Sequence, residues 1–422
     1  MPHVRLLRAL AVLALSITLG HYNAAAQQIK TVFVIAMENH NWTQPANQFI
    51  GTQQIYLNPN APFINSLVNG SATAVINGHT VNISQQVSYA TNYRNVLATA
   101  GGNNPHIHPS EPNYLWAEAA TNFGVFNDSD PFSPQSNTGA IQNQDNQLHL
   151  VRLLTQCGVS WKSYQEDIDL VPDGASFDNM VLPQNQWTVP LKSLSGNFVT
   201  GVNQFNGSTQ FNYAVKHNPQ AFFTDSNGGN DLTPANPLSQ QYAPLQRLFS
   251  DLANNAVAQY NWITPNQFND QHTALKNGFQ GLTGDAANIA QGDNFLKLVI
   301  PVIMASKAYN DHGAIIIWWD ESEQDAAGAN PDDLTHTIGE IVISPDAHPN
   351  VGGVPFASDV FLTHSSDLRT MQEIFHVTRP FFVGDAIHAN DLSSLFEDGV
   401  IPQLDGDNDR DDGACGLDRG DR

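Results

Sequence analysis

The sequence predicts an α/β fold, a three-layer αβα sandwich around a mostly parallel sheet, with long cap loops. Short apolar runs rich in β-branched residues alternate with longer mixed segments along the chain. Three of these runs are continuously apolar, which is typical of strands buried on both faces of a parallel sheet. Two of them end directly at acidic side chains, and ligands of such sheets bind beyond the carboxyl ends of the strands.

The individual elements follow from this pattern in chain order. The predicted strands are Thr31–Met37, Ala314–Trp319 and Gly339–Ser344. Helices are predicted over Phe295–Tyr309, which leads into the second strand, and over Ser366–Phe375. Alternation of strands and helices predicts layers of helices on the sheet. The segments 127–147 and 181–210 are rich in Asn, Gln, Gly, Ser and Pro, and we interpret them as cap loops rather than separate domains.

Composition excludes several classes of function. The 422 residues include 17 Lys and Arg against 40 Asp and Glu, which gives a formal net charge of −23. No basic stripe is available to neutralise phosphates, so a nucleic-acid partner is not expected. The same charge argues against electrostatic docking on anionic membranes. The two cysteines, Cys157 and Cys415, are too few for a disulfide scaffold, and the sequence leaves open whether they pair.

The two ends of the chain are predicted to lie outside the folded domain. Residues 1–26 have the features of a signal peptide: Arg5 and Arg8, an apolar run over 9–20, and the small residues of positions 24–26. Twelve apolar residues are too few to cross roughly 30 Å of hydrocarbon, so a secreted protein, extracellular or periplasmic, without a stable membrane anchor is predicted. The domain prediction is then a single folded unit over 27–396, followed by an acidic tail over 397–422 that we expect to be disordered.

Three segments carry residues suited to chemistry, and each also has an ordinary interpretation. Glu38 and Asn39 offer two hard oxygens at the end of the first strand, where turns are also common. Asp320 and Glu321 follow a buried strand, where adjacent carboxylates repel each other unless a cation lies between them. Ser110 lies between two prolines that fix the backbone, which suits a presented hydroxyl or a plain loop.

Taken together, these segments resemble the phosphoesterase family that includes secreted acid phosphatases and non-specific phospholipases C, with a fold similar to that of alkaline phosphatase. The resemblance covers about 30–385. Further segments with this resemblance, in chain order, are Trp161–Glu166, Lys216–Pro219, Thr264–His272, Gly292–Leu296, Ile343–Pro345 and Thr363–Phe375.

The resemblance implies one divalent metal ion held by Glu38, Asn39, Asp320 and Glu321, with the hydroxyl of Ser110 as a further ligand and as the nucleophile. Oxygen ligands favour magnesium, manganese or calcium over zinc. His217 and His272 are the predicted catalytic histidines, which bind phosphoryl oxygens or protonate the leaving group. The predicted substrate-binding residues are Asn113, His108 and His364.

The function predicted from the sequence is that of a secreted, metal-dependent phosphoesterase that hydrolyses phosphate monoesters through a phosphoserine intermediate. Its expected partner is a small phosphorylated substrate. One alternative is a phospholipase C that acts on phospholipid headgroups. Another is a catalytically silent secreted binding protein on the same scaffold. The sequence leaves the natural substrate, the pH optimum and the oligomeric state open.

Overall fold

A computed structural model describes residues 28–44, 54–96, 107–131, 143–174, 176–322, 336–378, 382–404 and 415. The strands are β1 (Thr31–Met37), β2 (Asn41–Thr43), β3 (Thr73–Ile76), β4 (His79–Asn82), β5 (Val87–Ala90), β6 (Trp161–Gln165), β7 (Leu194–Asn197), β8 (Gln210–Tyr213), β9 (Tyr242–Pro244), β10 (Tyr260–Thr264), β11 (Gly313–Trp319), β12 (Thr337–Ile338), β13 (Glu340–Ile343) and β14 (Phe356–Ser358). The helices are α1 (Pro62–Asn69), α2 (Ser110–Ala119), α3 (Leu150–Gln156), α4 (Thr224–Asn227), α5 (Leu245–Ala253), α6 (Asp285–Met304), α7 (Lys307–Asn310) and α8 (His364–Ile374).

One eight-stranded sheet forms the centre of the fold, in the order β14-β5-β13-β11-β1-β10-β6-β9. Strands β11, β1, β10, β6 and β9 run parallel to one another. The predicted strand Thr31–Met37 is β1, and the second predicted strand is β11 with one residue added at its start. Both are buried along nearly their whole length, because helices cover both faces of the sheet. The α/β prediction is therefore confirmed.

The third predicted strand differs from the expectation in its direction. It forms β13, but it pairs antiparallel with β11 on one side and with β5 on the other. A continuous apolar run indicates burial on both faces of a sheet, and an inner antiparallel strand meets that condition equally well. Strand direction therefore could not be obtained from this pattern.

The helices form two groups, one on each side of the sheet. Helices α1, α5, α6 and α7 pack against one another, and α2, α3 and α8 form the second group. The helix predicted over Phe295–Tyr309 begins earlier, at Asp285, and gives way to the short α7 after Met304. Its first turns are polar, so an apolar periodicity does not mark them. Helix α8 begins two residues before its predicted start, behind a capping box formed by Thr363 and Ser366.

The packed part of the chain extends beyond the predicted boundary at 396. Val400 and Ile401 are only 2% exposed and belong to the hydrophobic core. Cys415 is joined to Cys157 by a disulfide bond, with a Cα–Cα distance of 5.6 Å. The predicted tail therefore begins with residues that pack in the core. The predicted signal peptide lies outside the described residues, and none of the described helices is long and apolar enough to cross a membrane.

Asp293 on α6 stabilises the start of α1 through two buried hydrogen bonds. Its carboxylate accepts hydrogen bonds from the backbone N–H groups of Phe63 (3.1 Å) and Ile64 (2.8 Å). The Asp293→Ala variant leaves both buried donors unsatisfied, and we expect a loss of about 2–4 kcal/mol of unfolding free energy. Chemical denaturation measures this loss, and Asp311→Ala, at an exposed ion pair, is the control with little expected change.

The effect of the Asp293→Ala variant should depend on pH in a defined direction. Burial raises the pKa of Asp293 from 3.8 to about 6, although the two backbone hydrogen bonds lower it. A group whose pKa is higher in the folded chain contributes stability below its unfolded pKa, and this contribution is lost as the pH rises through the folded pKa. The difference between wild type and variant should therefore be larger at pH 4 than at pH 7. A larger difference at pH 7 would contradict this assignment.

Candidate active site

The candidate site lies where β1 and β11 end side by side. Met37 and Trp319 are register partners in these parallel strands, so the residues that follow them emerge at the same edge of the sheet. The Asp320 backbone N–H donates to the Met37 carbonyl (3.1 Å), and the Asn39 backbone N–H donates to Asp320 Oδ1 (3.1 Å). Two segments far apart in sequence are thus joined at this edge.

Ser110 reaches the same edge from the first turn of α2. Its Oγ lies 3.0 Å from Glu321 Oε1 and 3.2 Å from Glu38 Oε2. A serine hydroxyl carries one hydrogen and can donate to only one of these oxygens at a time. The helix N-terminus adds a positive potential at this position, which favours a developing alkoxide and an incoming anion.

Two carboxylates contact the Ser110 hydroxyl, and a third, that of Asp320, lies beside them in a buried cluster. Oxygens of Glu38, Asp320 and Glu321 lie within 4.8 Å of one another, and all three side chains are at most 1% exposed. Burial raises the pKa of Glu38 to about 8, with a further contribution from the charge of Glu321. Burial and the charges of Glu38 and Glu321 also raise the pKa of Asp320.

These carboxylates fit a divalent cation. Asp320 Oδ2 is buried and accepts no hydrogen bond from the part of the chain that the structure describes, although a carboxylate oxygen of Asp320 lies within 4.8 Å of oxygens of the other two acids. An uncompensated buried carboxylate is costly, and a cation among the three would remove that cost. The ligand atoms of this group are oxygens, which hard cations such as magnesium, manganese and calcium prefer. Of the predicted ligands, Asn39 contacts Asp320 through its backbone, and a ligand role for its side chain stays a prediction.

The two predicted catalytic histidines lie on the other side of Glu38. His217 Nε2 is 3.0 Å from Glu38 Oε1, and His217 Nδ1 is 3.2 Å from Asp270 Oδ2. The Tyr114 hydroxyl donates to Glu38 Oε1 (2.6 Å), and the tyrosine ring stacks on the His217 imidazole. His272 completes the group, because one of its ring nitrogens lies within 4.8 Å of Glu38 and His217 ligand atoms.

The pKa of each imidazole is lowered, which favours the neutral form. Burial lowers the pKa of His217 well below 6.5, and the charge of Lys216 adds to the effect. Burial and Lys216 likewise lower the pKa of His272 to about 4. A lowered pKa disfavours the protonated form that protonation of the leaving group would use, and this role of the two histidines stays a prediction. A neutral histidine can still donate one N–H to a phosphoryl oxygen.

Asn113 and His108 both contact Glu321. The Asn113 amide donates to Glu321 Oε2 (2.8 Å) and to the Ile107 carbonyl (2.6 Å), so both of its hydrogens have partners within the protein. His108 Nδ1 lies 2.9 Å from Glu321 Oε1. The structure therefore places these two predicted substrate-binding residues as groups that orient a carboxylate of the cluster.

The structure places His364 beneath the site, and a substrate contact for this residue stays a prediction. The side chain is fully buried, and its Nε2–H donates to the Asp320 backbone carbonyl (2.5 Å). Its Nδ1 accepts from Trp318 Nε1 (3.1 Å) and lies 2.7 Å from the Tyr93 hydroxyl. Both ring nitrogens are thus used beneath the site, and His364 supports the backbone that carries Asp320.

Sequence reasoning missed four residues of the site, namely Tyr114, Asp128, Lys216 and Asp270. Lys216 Nζ lies 3.0 Å from Asp128 Oδ2 and 3.5 Å from His272 Nε2. The second oxygen of Asp128, Oδ1, accepts the Glu111 backbone N–H at the start of α2. Lys216 stands directly before His217 in one of the segments that carry the resemblance, and this position was the available signal.

The chain is similar to named acid phosphatases. It is 23% identical over 216 residues to the phosphate-repressible acid phosphatase of Penicillium chrysogenum, covering 51% of this chain and 39% of that protein. It is 28% identical over 166 residues to an acid phosphatase of Aspergillus fumigatus, covering 39% and 28%. The match thus spans less than two fifths of the length of either relative.

A solved structure from Vibrio parahaemolyticus, in the alkaline phosphatase superfamily, matches 87% of this chain and 70% of its own, with 12% identity and a TM-score of 0.44. The model of the phosphoesterase family matches residues 22–378, which include every residue of the site described above. By this match over most of its length, the chain belongs to the phosphoesterase family.

Proposed function

We propose that this protein is a secreted, metal-dependent phosphoesterase that hydrolyses phosphate monoesters through a phosphoserine at Ser110. The observation that carries the proposal is the placement of the Ser110 hydroxyl at a helix N-terminus, within 3.2 Å of two buried carboxylates. A buried serine among acids has no evident structural purpose, but it is suited to in-line attack once a cation is bound. The names of the acid phosphatase relatives support the monoester class.

In such a reaction, different residues of the chain bind the cation, attack phosphorus and contact the phosphoryl group. When bound by Glu38, Asn39, Asp320 and Glu321, a divalent cation lowers the pKa of the serine hydroxyl and offsets charge on the phosphoryl oxygens. Ser110 Oγ attacks phosphorus, the Oγ–P bond forms, the bond from phosphorus to the alcohol oxygen breaks, and the proton that Ser110 loses is balanced by the proton that the leaving alcohol gains. His217 and His272, whose ring nitrogens lie within 4.8 Å of a Glu38 oxygen, are the residues to which we assign contact with the phosphoryl group.

The second half of the reaction regenerates the free hydroxyl of Ser110. Water attacks the phosphoserine, the Oγ–P bond breaks, and the proton that water loses balances the proton that Ser110 regains. The contacts of Asn113 and His108 with Glu321 keep that carboxylate beside Oγ through both steps.

Export is supported by the signal-peptide features of residues 1–26 and by the Cys157–Cys415 disulfide, since such bonds persist in oxidising compartments.

Hydrolysis of p-nitrophenyl phosphate by the purified protein from pH 4 to 9, with and without EDTA, tests the proposal. We expect activity that EDTA removes and that one of magnesium, manganese, calcium or zinc restores. The ion that restores it identifies the metal. Activity insensitive to EDTA would contradict the metal requirement. Inactivity on this substrate together with hydrolysis of phosphatidylcholine would replace the monoesterase by the phospholipase C alternative.

A further inference from the structure

The site contains more negative charge than one divalent cation can offset. Glu38, Asp270, Asp320 and Glu321 are each at most 1% exposed. When ionised they carry four negative charges, of which one divalent cation offsets two. A phosphate monoester brings up to two more into the same space. Phosphoryl transfer depends on stabilising charge on the nonbridging oxygens, so a further positive group is needed there.

Lys216 is placed to supply that charge. Its side chain is only 13% exposed, and its ammonium lies 3.5 Å from His272 Nε2, one of the site's own nitrogens. An ammonium has three N–H donors. Two of the donors are directed at Asp128 and His272, and the contacts of the described residues provide no partner for the third.

Asp128 connects Lys216 to the helix turn that carries the nucleophile Ser110. Its Oδ2 accepts from Lys216 Nζ (3.0 Å), and its Oδ1 accepts from the Glu111 backbone N–H (3.1 Å). Glu111 follows Ser110 in the first turn of α2. The ammonium and the serine hydroxyl are therefore connected through one side chain, and such preorganisation is what a charge-stabilising group requires.

The charge of Lys216 acts on the groups that surround the phosphoryl position. It lowers the pKa of Glu38, Asp270 and Asp320, and it also lowers the pKa of His217 and His272. Burial lowers the pKa of Lys216 itself, but the charges of Glu38 and Asp128 outweigh burial and raise it above its usual value. The lysine therefore stays charged throughout the working pH range.

A second metal ion is the competing source of positive charge. Glu38, His217 and His272 offer ligand atoms within 4.8 Å of one another. An ammonium 3.5 Å from His272 Nε2 would repel a cation bound to that nitrogen. The charge at this position is thus already supplied by the protein.

We propose that Lys216 is a further catalytic residue, whose ammonium binds a nonbridging phosphoryl oxygen and takes the place of a second metal ion. This inference rests on the proposed function. It assigns the lysine to the transferring group itself for three reasons. The side chain is mostly buried, the ammonium lies 3.5 Å from His272 Nε2, and Asp128 connects it to the helix that carries Ser110.

Three variants test the role of Lys216. Lys216→Met removes the charge at similar volume, Lys216→Arg keeps it, and Lys162→Met is the matched control. Lys162 is equally buried (16% exposed) and paired to an aspartate, Asp251, at 3.1 Å, but its partner lies outside the site. The readouts are kcat/KM for p-nitrophenyl phosphate, the Kd of inorganic phosphate by calorimetry, metal content per chain, and Tm.

For Lys216→Met we expect kcat/KM to fall by about 10²- to 10³-fold, as for other groups aimed at developing charge. Phosphate binding should weaken by about tenfold or more, while metal content stays at one ion per chain. Lys216→Arg should keep kcat/KM within about tenfold of wild type, and Lys162→Met should lower Tm without changing phosphate affinity.

The inference is overturned if Lys216→Met binds phosphate as wild type does, or if wild type binds two metal ions per chain. A loss of kcat/KM no larger than that of Lys162→Met would also overturn it. Failure of the proposed function gives a different result. A wild type without phosphoesterase activity, whose phosphate affinity nevertheless depends on Lys216, would refute the function and the catalytic role, and would retain only the contact of the ammonium with phosphate.

Discussion

Replacing Ser110 by alanine is expected to lower kcat/KM for p-nitrophenyl phosphate by at least about 10³-fold, because the attacking atom is removed. The change is small in volume, and alanine suits a helix better than serine, so the fold should tolerate it. The expected outcome is an inactive protein with the Tm of wild type that still binds metal through the remaining predicted ligands, Glu38, Asn39, Asp320 and Glu321.

The intermediate gives a second, independent measurement. Wild type quenched in acid during turnover should contain a phosphorylated peptide with Ser110 as the modified residue, detectable by mass spectrometry. The Ser110→Ala variant should lack it. Ser88→Ala is the matched control, because Ser88 is also fully buried but donates to the Leu395 carbonyl at another strand. Phosphopeptide in the variant, or activity near that of wild type, would mean that another group is the nucleophile.

The ends of β1 and β11 were accessible to sequence analysis for a physical reason. A continuous apolar run predicts a strand buried on both faces, and the first polar residues after it must lie at the sheet edge. Glu38 and Asp320 were located in this way. Their proximity depends on β1 and β11 being neighbours, which no local pattern contains. Only the resemblance joined these two ends to Ser110, which comes from a separate helix.

Sequence reasoning assigned His364 to substrate binding and did not assign Lys216 to the site, and the structure places the two residues differently. His364 lies in a segment with the family resemblance, so the sequence suggested a substrate contact, but both of its nitrogens are engaged beneath the site. Lys216 lies beside a predicted catalytic histidine, yet a lysine in sequence resembles any solvated surface residue. The difference between the two is the direction of one side chain, which follows from tertiary packing.

The Asp320→Asn variant should separate metal binding from folding. Asp320 Oδ1 accepts the Asn39 and Glu321 backbone N–H groups, and an asparagine oxygen can keep both contacts. The amide nitrogen then replaces Oδ2, the buried oxygen without a hydrogen-bond partner among the described residues, and one anionic ligand is lost. We expect metal content to fall well below one ion per chain, and kcat/KM to fall by about 10³-fold or more.

Although the Asp320→Asn variant should lose metal and activity, its thermal stability without metal should increase. In EDTA, wild type keeps three crowded, buried carboxylates without a cation, and the pKa of Asp320 is raised by burial and by the charges of its neighbours. Removing one of these charges should raise the Tm of the metal-free protein. Added metal should raise the Tm of wild type and leave that of the variant nearly unchanged, since a ligand stabilises only the state that binds it.

Asp251→Asn is the control for burial alone, because Asp251 is equally buried (1% exposed) but already paired with Lys162 and Arg247. Breaking that compensated group should lower Tm both in EDTA and in metal, with activity per folded molecule preserved. If Asp320→Asn behaved in the same way, the acids at this sheet edge would be structural. A gain of Tm in EDTA together with the loss of metal would instead identify them as a site whose buried charge is retained for a cation.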